Sequence, residues 1–150
     1  MIGTEILSRF NLFRDLPESF LSEIAKIGIE SFVKKDEFIF REGEAADKLY
    51  LLIGGSVALR VKLTSRPESV TVSFVSKPYQ SLGWSGGVAP HHYTSSAECE
   101  EDCELLIIPA EPFLELLQAQ PQHGFVVMKR IAEVIADRLR NSHQALLKTL

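Results

Sequence analysis

At 150 residues, 45% of them hydrophobic and 24% charged, the chain has the balance of one ordered soluble domain, able to bury roughly 70% of the surface it would expose unfolded. That excludes an intrinsically disordered chain and a fold that depends on disulfide or metal staples. A net charge of −4 lacks the summed positive field that gathers nucleic acid or anionic membrane by charge alone.

Residues 2 to 29 predict a short helical pair. Ile6, Phe10 and Phe13 recur at helical spacing, Leu21, Ile24, Ala25 and Ile27 follow, and Asp15-Leu16-Pro17-Glu18 punctuates between them. Pro17 suits the first turn of the second helix, where a missing N–H costs nothing. Glu5 and Arg9 interrupt the apolar residues where a secretory signal would run unbroken, so the expected location is the cytoplasm.

From Ser31 to Ile108 the texture changes to short β-rich runs between turn residues, which predicts strands near 31 to 34, 37 to 41, 48 to 53, 56 to 63, 69 to 75, 94 to 99 and 103 to 108. Gly43, Gly54-Gly55 and Arg66-Pro67-Glu68 mark turns. Leu49 to Leu59 is broken by Gly54, Gly55 and Ser56 and falls short of the roughly 18 residues a membrane span needs, so it reads as two strands and no membrane is expected. Cys99 and Cys103 enclose Glu100-Glu101-Asp102, which reads as a hairpin turn with the two thiols facing each other. A disulfide is not expected of them in a reducing cytoplasm, nor a zinc site without further ligands.

After Pro109 the helical period returns, in a piece around Pro112 to Leu117 and then in one long helix from about Gly124, with Pro121 and Gly124 as the break. On the long helix Met128, Ala132, Ile135, Leu139, Ser142 and Leu146 step by four and three residues, while Lys129, Arg130, Glu133, Asp137, Arg138 and Arg140 surround them. So narrow a seam is of the coiled-coil kind and predicts a homodimer; the competing reading packs the helix on its own domain.

Two catalytic patterns can be weighed. Gly83-Trp84-Ser85-Gly86-Gly87 matches the Gly-x-Ser-x-Gly turn of serine hydrolases, with Asp102 and His123 or His143 following in the expected order. That turn needs a helix directly after the serine, and Gly86, Gly87 and Pro90 oppose one. A metal-centred oxygenase would need converging imidazoles, yet His91 and His92 are adjacent and on a strand would point to opposite faces. The expectation is no enzyme, no metal and no cofactor.

Ile39-Phe40-Arg41-Glu42-Gly43-Glu44, Asp47, Leu49-Tyr50-Leu51-Leu52-Ile53 and Gly55-Ser56-Val57 resemble the front half of the cyclic-nucleotide-binding domain of the catabolite activator superfamily. The resemblance continues through Gly83, the opening of the phosphate-binding cassette, and through Leu105-Leu106-Ile107-Ile108-Pro109, Phe113, Pro121 and the final helix. It implies a mainly β domain: an antiparallel β-roll of jelly-roll type over 31–109, with helices over 1–30 and 110–150. The Gly-Trp-Ser cassette resembles a sub-group of stand-alone bacterial members.

The resemblance also implies a small anionic ligand held between cassette and roll, with Gly83, Trp84, Ser85, Gly86, Tyr93, Thr94, Ser95, Ile135 and Ala136 as the ligand-binding set. The family's ribose-binding glutamate falls on Trp84, its phosphate-binding arginine on Tyr93, and its hydroxyl pair on the long helix on Ile135 and Ala136. Cyclic AMP and cyclic GMP are therefore expected to bind weakly. Either the ligand has changed or Trp84 and Tyr93 fill a vestigial pocket. The expected function is a ligand-sensing regulatory domain whose partners are a second copy and a small molecule or protein. A second expectation is the sensor part of a catabolite-activator-type regulator, since residues 1 to 150 include no helix-turn-helix that could read nucleic acid.

Overall fold

Apolar residues run without a polar break from Leu49 to Ile53 and from Leu105 to Ile108, a pattern that requires burial on both faces of a sheet. The computed structural model, which describes residues 1–150 apart from the Thr149 side chain, provides that burial. Strands β1 (Ile29–Val33), β3 (Lys48–Gly54), β6 (Gln80–Leu82) and β8 (Cys103–Pro109) form one antiparallel sheet in the order β1-β8-β3-β6. Strands β2 (Phe38–Phe40), β4 (Val57–Lys62), β5 (Ser69–Val75) and β7 (Ser96–Cys99) form the other, in the order β2-β7-β4-β5. Together they make an antiparallel β-roll of jelly-roll type.

The pleat divides each buried run between two cores. Tyr50, Leu52 and Leu105 face the interior of the roll with Phe40, Val57, Leu59, Val72 and Ala97. Leu49, Leu51, Leu106 and Ile108 face outward to an apolar layer from the helices. That layer comes from α1 (Thr4–Leu7), the turns that follow it, α2 (Glu18–Ile27), α3 (Ala110–Ala119) and α4 (Pro121–Thr149), and it contributes Phe10, Phe13, Phe20, Phe113, Val127 and Ile131. In the second sheet Val57, Leu59, Val72 and Ala97 face inward, whereas Phe74 on the outer face is exposed. Accordingly β7 alternates Ala97 and Cys99 inward with half-buried Ser96 and Glu98.

Four sequence expectations are corrected. Strand β6, three residues long, follows Tyr79 where no strand was expected, and a short 3-10 turn, Trp84–Gly87, follows it. Cys99 and Cys103 do not close a hairpin, because β7 and β8 belong to different sheets and the chain crosses from one to the other between them. Pro17 caps α2 from outside, as the residue before its first turn. The long helix begins at Pro121, its first helical residue, and Gly124 lies inside it. A Cβ on Gly124 would sit 2.2 Å from the Leu117 carbonyl oxygen, so glycine is what lets α4 cross α3 at this distance.

Helix α4 carries two stripes one residue apart. Gly124, Val127, Ile131, Val134 and Arg138 turn toward the domain and are buried or half-buried. Phe125, Met128, Ile135, Leu139 and Leu146 remain exposed. Arg130 fastens the helix to the amino-terminal segment, donating to the carbonyls of Leu12 at 3.1 Å and Arg14 at 2.6 Å.

Candidate functional site

The site begins where β6 ends. Gly83 adopts φ +81°, and a Cβ there would meet the Tyr50 ring at 2.8 Å, so only glycine turns the chain at this point without strain. The 3-10 turn then places Gly86 against β3, where an added Cβ would lie 2.6 Å from the Lys48 carbonyl oxygen. Its amide closes the turn on the Gly83 carbonyl at 3.2 Å.

The return segment carries Tyr93 into the roll. Its ring stacks on Phe40 with centroids 4.0 Å apart and planes 15° from parallel, and its hydroxyl donates to the Lys48 carbonyl at 3.0 Å. Burial raises the phenol's pKa, with the nearby Tyr50 adding to the shift, so Tyr93 stays neutral. Trp84, 8% exposed, lies between the turn and α4, and its indole N–H has no hydrogen-bond partner.

Between turn, roll and helix lies a cavity of about 410 Å³. Phe40, Leu59, Val61 and Val72 form its apolar floor. Gly83, Trp84, Ser85, Val88, Tyr93, Thr94 and Ser95 form the cassette wall. Ile135, Arg138, Leu139 and Ser142 approach from α4, and Ser73 from β5. Trp84 and Ile135 also share a smaller void with Leu49, Phe113, Met128 and Ile131.

Helix α4 is tied over this cavity by two polar contacts. Arg138 donates from Nη2 to the Ser81 carbonyl, and Asn141 donates to the Ser73 hydroxyl at 3.4 Å. Burial lowers the Arg138 pKa to about 10, with Asp137 opposing the shift in part.

Of the residues expected to bind ligand, Gly83, Trp84, Ser85, Tyr93, Thr94, Ser95 and Ile135 line the cavity together. Gly86 is buried against β3 instead, and Ala136 is exposed on α4. Arg138 was read as part of the charged surround of the seam; it is in the cavity wall. Val127, Ile131, Val134 and Arg138 continue one four-three-four spacing, which becomes a signal only once the first three are seen to be buried or half-buried.

The serine-hydrolase set does not assemble, since none of Asp102, His123 and His143 lines the cavity with Ser85. Asp102 accepts from the Lys35 amide at 2.9 Å, His123 packs edge-on against Phe20, and His143 is exposed. His91 and His92 are exposed, and among the described residues no group of three or more His, Cys, Asp and Glu could hold a metal ion. Cys99 and Cys103 are buried free thiols. No helix among the described residues is long and apolar enough to cross a membrane.

Residues 30–120, more than half of the chain, match the family model for the cyclic nucleotide-binding domain. The protein belongs to the cyclic nucleotide-binding domain family. A cyclic nucleotide-binding protein from Geobacter metallireducens is 31% identical to this family member, with a TM-score of 0.79 over 93% of this chain and 99% of that one. Two more distant structures share the fold. The catabolite activator protein of Thermus thermophilus is 24% identical, with a TM-score of 0.72 over 90% of this cyclic nucleotide-binding domain and 61% of its own chain. The sensor domain of the transcriptional regulator DNR from Pseudomonas aeruginosa is 17% identical, with a TM-score of 0.76 over 91% of each chain. Among curated proteins none matches significantly.

Proposed function

We propose that this chain is a ligand-sensing regulatory domain whose cassette has been rebuilt for a ligand other than a cyclic nucleotide, and that it signals through a dimer formed by α4. The observation that carries this reading is the composition of the cavity wall. The resemblance puts Trp84 and Tyr93 at the two positions where the family's pattern has a glutamate and an arginine. Tyr93 is committed to Phe40 and the Lys48 carbonyl, so it supplies neither charge nor a free hydroxyl to a phosphate.

The cavity is shared between cassette and helix, which is what a sensing device needs. A ligand that favours one placement of α4 shifts the equilibrium by its differential affinity for the two placements. Ile135 and Leu139 line the cavity and are also 42% and 55% exposed, so its mouth opens beside the apolar seam. A second copy laid on that seam would cover both. The expected cytoplasmic location belongs to the same reading. The sensor part of a longer transcription regulator is the related alternative, favoured by the DNR sensor domain and by the 61% of the Thermus activator that this domain spans.

Titration calorimetry with cyclic AMP and cyclic GMP tests the altered specificity. A cyclic phosphate desolvated at the cassette without its guanidinium forfeits about 1.5–3 kcal/mol, and loss of the ribose and base contacts adds to this. Affinity should fall by about two to four decades, into the high micromolar range or weaker. Submicromolar binding of either nucleotide overturns the reading.

A further inference from the structure

Arg138 is the one charged side chain in the cavity lining; the other polar side chains there apart from the Trp84 indole and Tyr93 are the hydroxyls of Ser73, Ser85, Thr94, Ser95 and Ser142. A guanidinium has five N–H donors, and the hydrogen bond described for this one goes to the Ser81 carbonyl. Neither of the two ion pairs among the described residues includes it. The neighbouring Asp137 is turned to solvent and pairs with Arg140 at 3.0 Å. Arg138 stands between the cavity and an adjoining surface recess, whose lining it shares with Glu133 and Asp137. A guanidinium drawn out of water with no ion-pair partner in contact is unfavourable, and burial lowers the Arg138 pKa although Asp137 acts against the shift. Trp84 adds a second donor with an open valence, because its buried indole N–H lacks an acceptor.

We propose that the cavity takes a small apolar monocarboxylate, its anionic end paired with Arg138 and its hydrocarbon body lying among Phe40, Leu59, Val61 and Val72. A planar fork of donors matches a carboxylate through two parallel hydrogen bonds. One cation is balanced by one negative charge, whereas a dianion would leave its second charge facing an apolar floor. The volume of about 410 Å³ lies low in the ~300–1,000 Å³ range of small-molecule sites, which favours a compact ligand. The charge that meets the ligand would then come from α4 instead of from the cassette, so binding acts on the helix directly.

This inference rests on the cavity being the sensing site, and the experiment separates the two. Benzoate, phenylpropanoate and octanoate, each beside its primary amide, are titrated against the full chain by calorimetry and by emission of Trp84, the chain's one tryptophan. At least one acid should bind at least about tenfold tighter than its amide, one decade being about 1.4 kcal/mol. Arg138→Met should erase that preference, with thermal unfolding checking that the ligand-free variant is still folded at the temperature of the titration. Arg138→Lys, which keeps the charge without the fork, should retain part of it. Amides binding as tightly as acids, or an acid preference that survives Arg138→Met, overturns the assignment of Arg138 alone. Failure of acids, amides and both cyclic nucleotides to bind overturns the sensing site as well.

Discussion

Replacing Leu139 with Asp separates a seam that pairs with a second copy from one that merely lies on the surface. In the single chain Leu139 is 55% exposed, so a carboxylate there stays in water and the fold should lose little beyond the ~0.5 kcal/mol of poorer helix propensity. In a dimer the same position would be covered. Completing the burial of a half-exposed leucine is worth about 1 kcal/mol, and a two-fold interface contains the residue twice, so about 2 kcal/mol of association is lost with the side chains. The two carboxylates must also be stripped of water without partners, which adds at least another ~2 kcal/mol. A total near 4 kcal/mol raises the dissociation constant about a thousandfold. Sedimentation equilibrium across micromolar concentrations reads this directly, with thermal unfolding as the check on the fold. Gln144→Asp, on the opposite side of α4 from Ser142 and Leu146, should leave association unchanged. If the unmodified protein sediments as a monomer throughout, or if the Leu139→Asp and Gln144→Asp variants associate equally, the seam does not pair.

Tyr93→Phe deletes the donor to the Lys48 carbonyl while keeping the stack on Phe40, and should cost about 1–2 kcal/mol, read as a drop of roughly 3–6 °C in unfolding temperature. An unchanged melt would show that water replaces the hydroxyl. Gly86→Ala forces a methyl against the β3 backbone, where a flexible side chain cannot give way; a loss of about 1–3 kcal/mol and altered Trp84 emission are expected, and a variant native by both measures would mean that the cassette is not seated as described. Burial, with Cys103 second, pushes the Cys99 thiol up to about 12 from an ordinary value of 9.0. The unfolded chain therefore loses this proton first, and the stabilisation, complete below about pH 9, declines as pH rises toward 12. Urea unfolding at pH 8 and pH 10 should differ by about 1 kcal/mol, with Cys99→Ala reducing the difference, and native-state thiol labelling at neutral pH should be slow. Equal loss in the wild type and the Cys99→Ala variant would place the alkaline sensitivity elsewhere.

The parts of the fold legible in the sequence are those where one local rule suffices. The doubly buried runs at Leu49–Ile53 and Leu105–Ile108 announce central strands, and the Gly54-Gly55 break places the β3–β4 turn. Strand β6 was not legible because Gln80-Ser81-Leu82 is too short to show an alternation, and its pairing with Tyr50–Leu52 is supplied by the sheet. The Cys99–Cys103 segment misleads for a related reason: a short acidic turn between two strands looks the same whether they pair or part to opposite sheets. At the site, the cassette residues were readable from their glycine and its neighbours. Arg138 was not, because an arginine on a charged helix is ordinarily solvated, and only the burial of Val127, Ile131 and Val134 reveals which face it continues.

The close crossing at Gly124 has a mechanical corollary. With a carbonyl of α3 where a side chain would otherwise stand, α4 is pinned near one end, while its other end runs past the cavity and outward. The helix rises about 1.5 Å per residue, so Leu146 lies about 33 Å from that pivot and Arg138 about 21 Å. A tilt of about 5° carries the distal turn through about 3 Å, roughly half as far again as it moves the guanidinium. A small adjustment at Arg138 is thus geared up toward the chain's end, and glycine at position 124 sets the fulcrum.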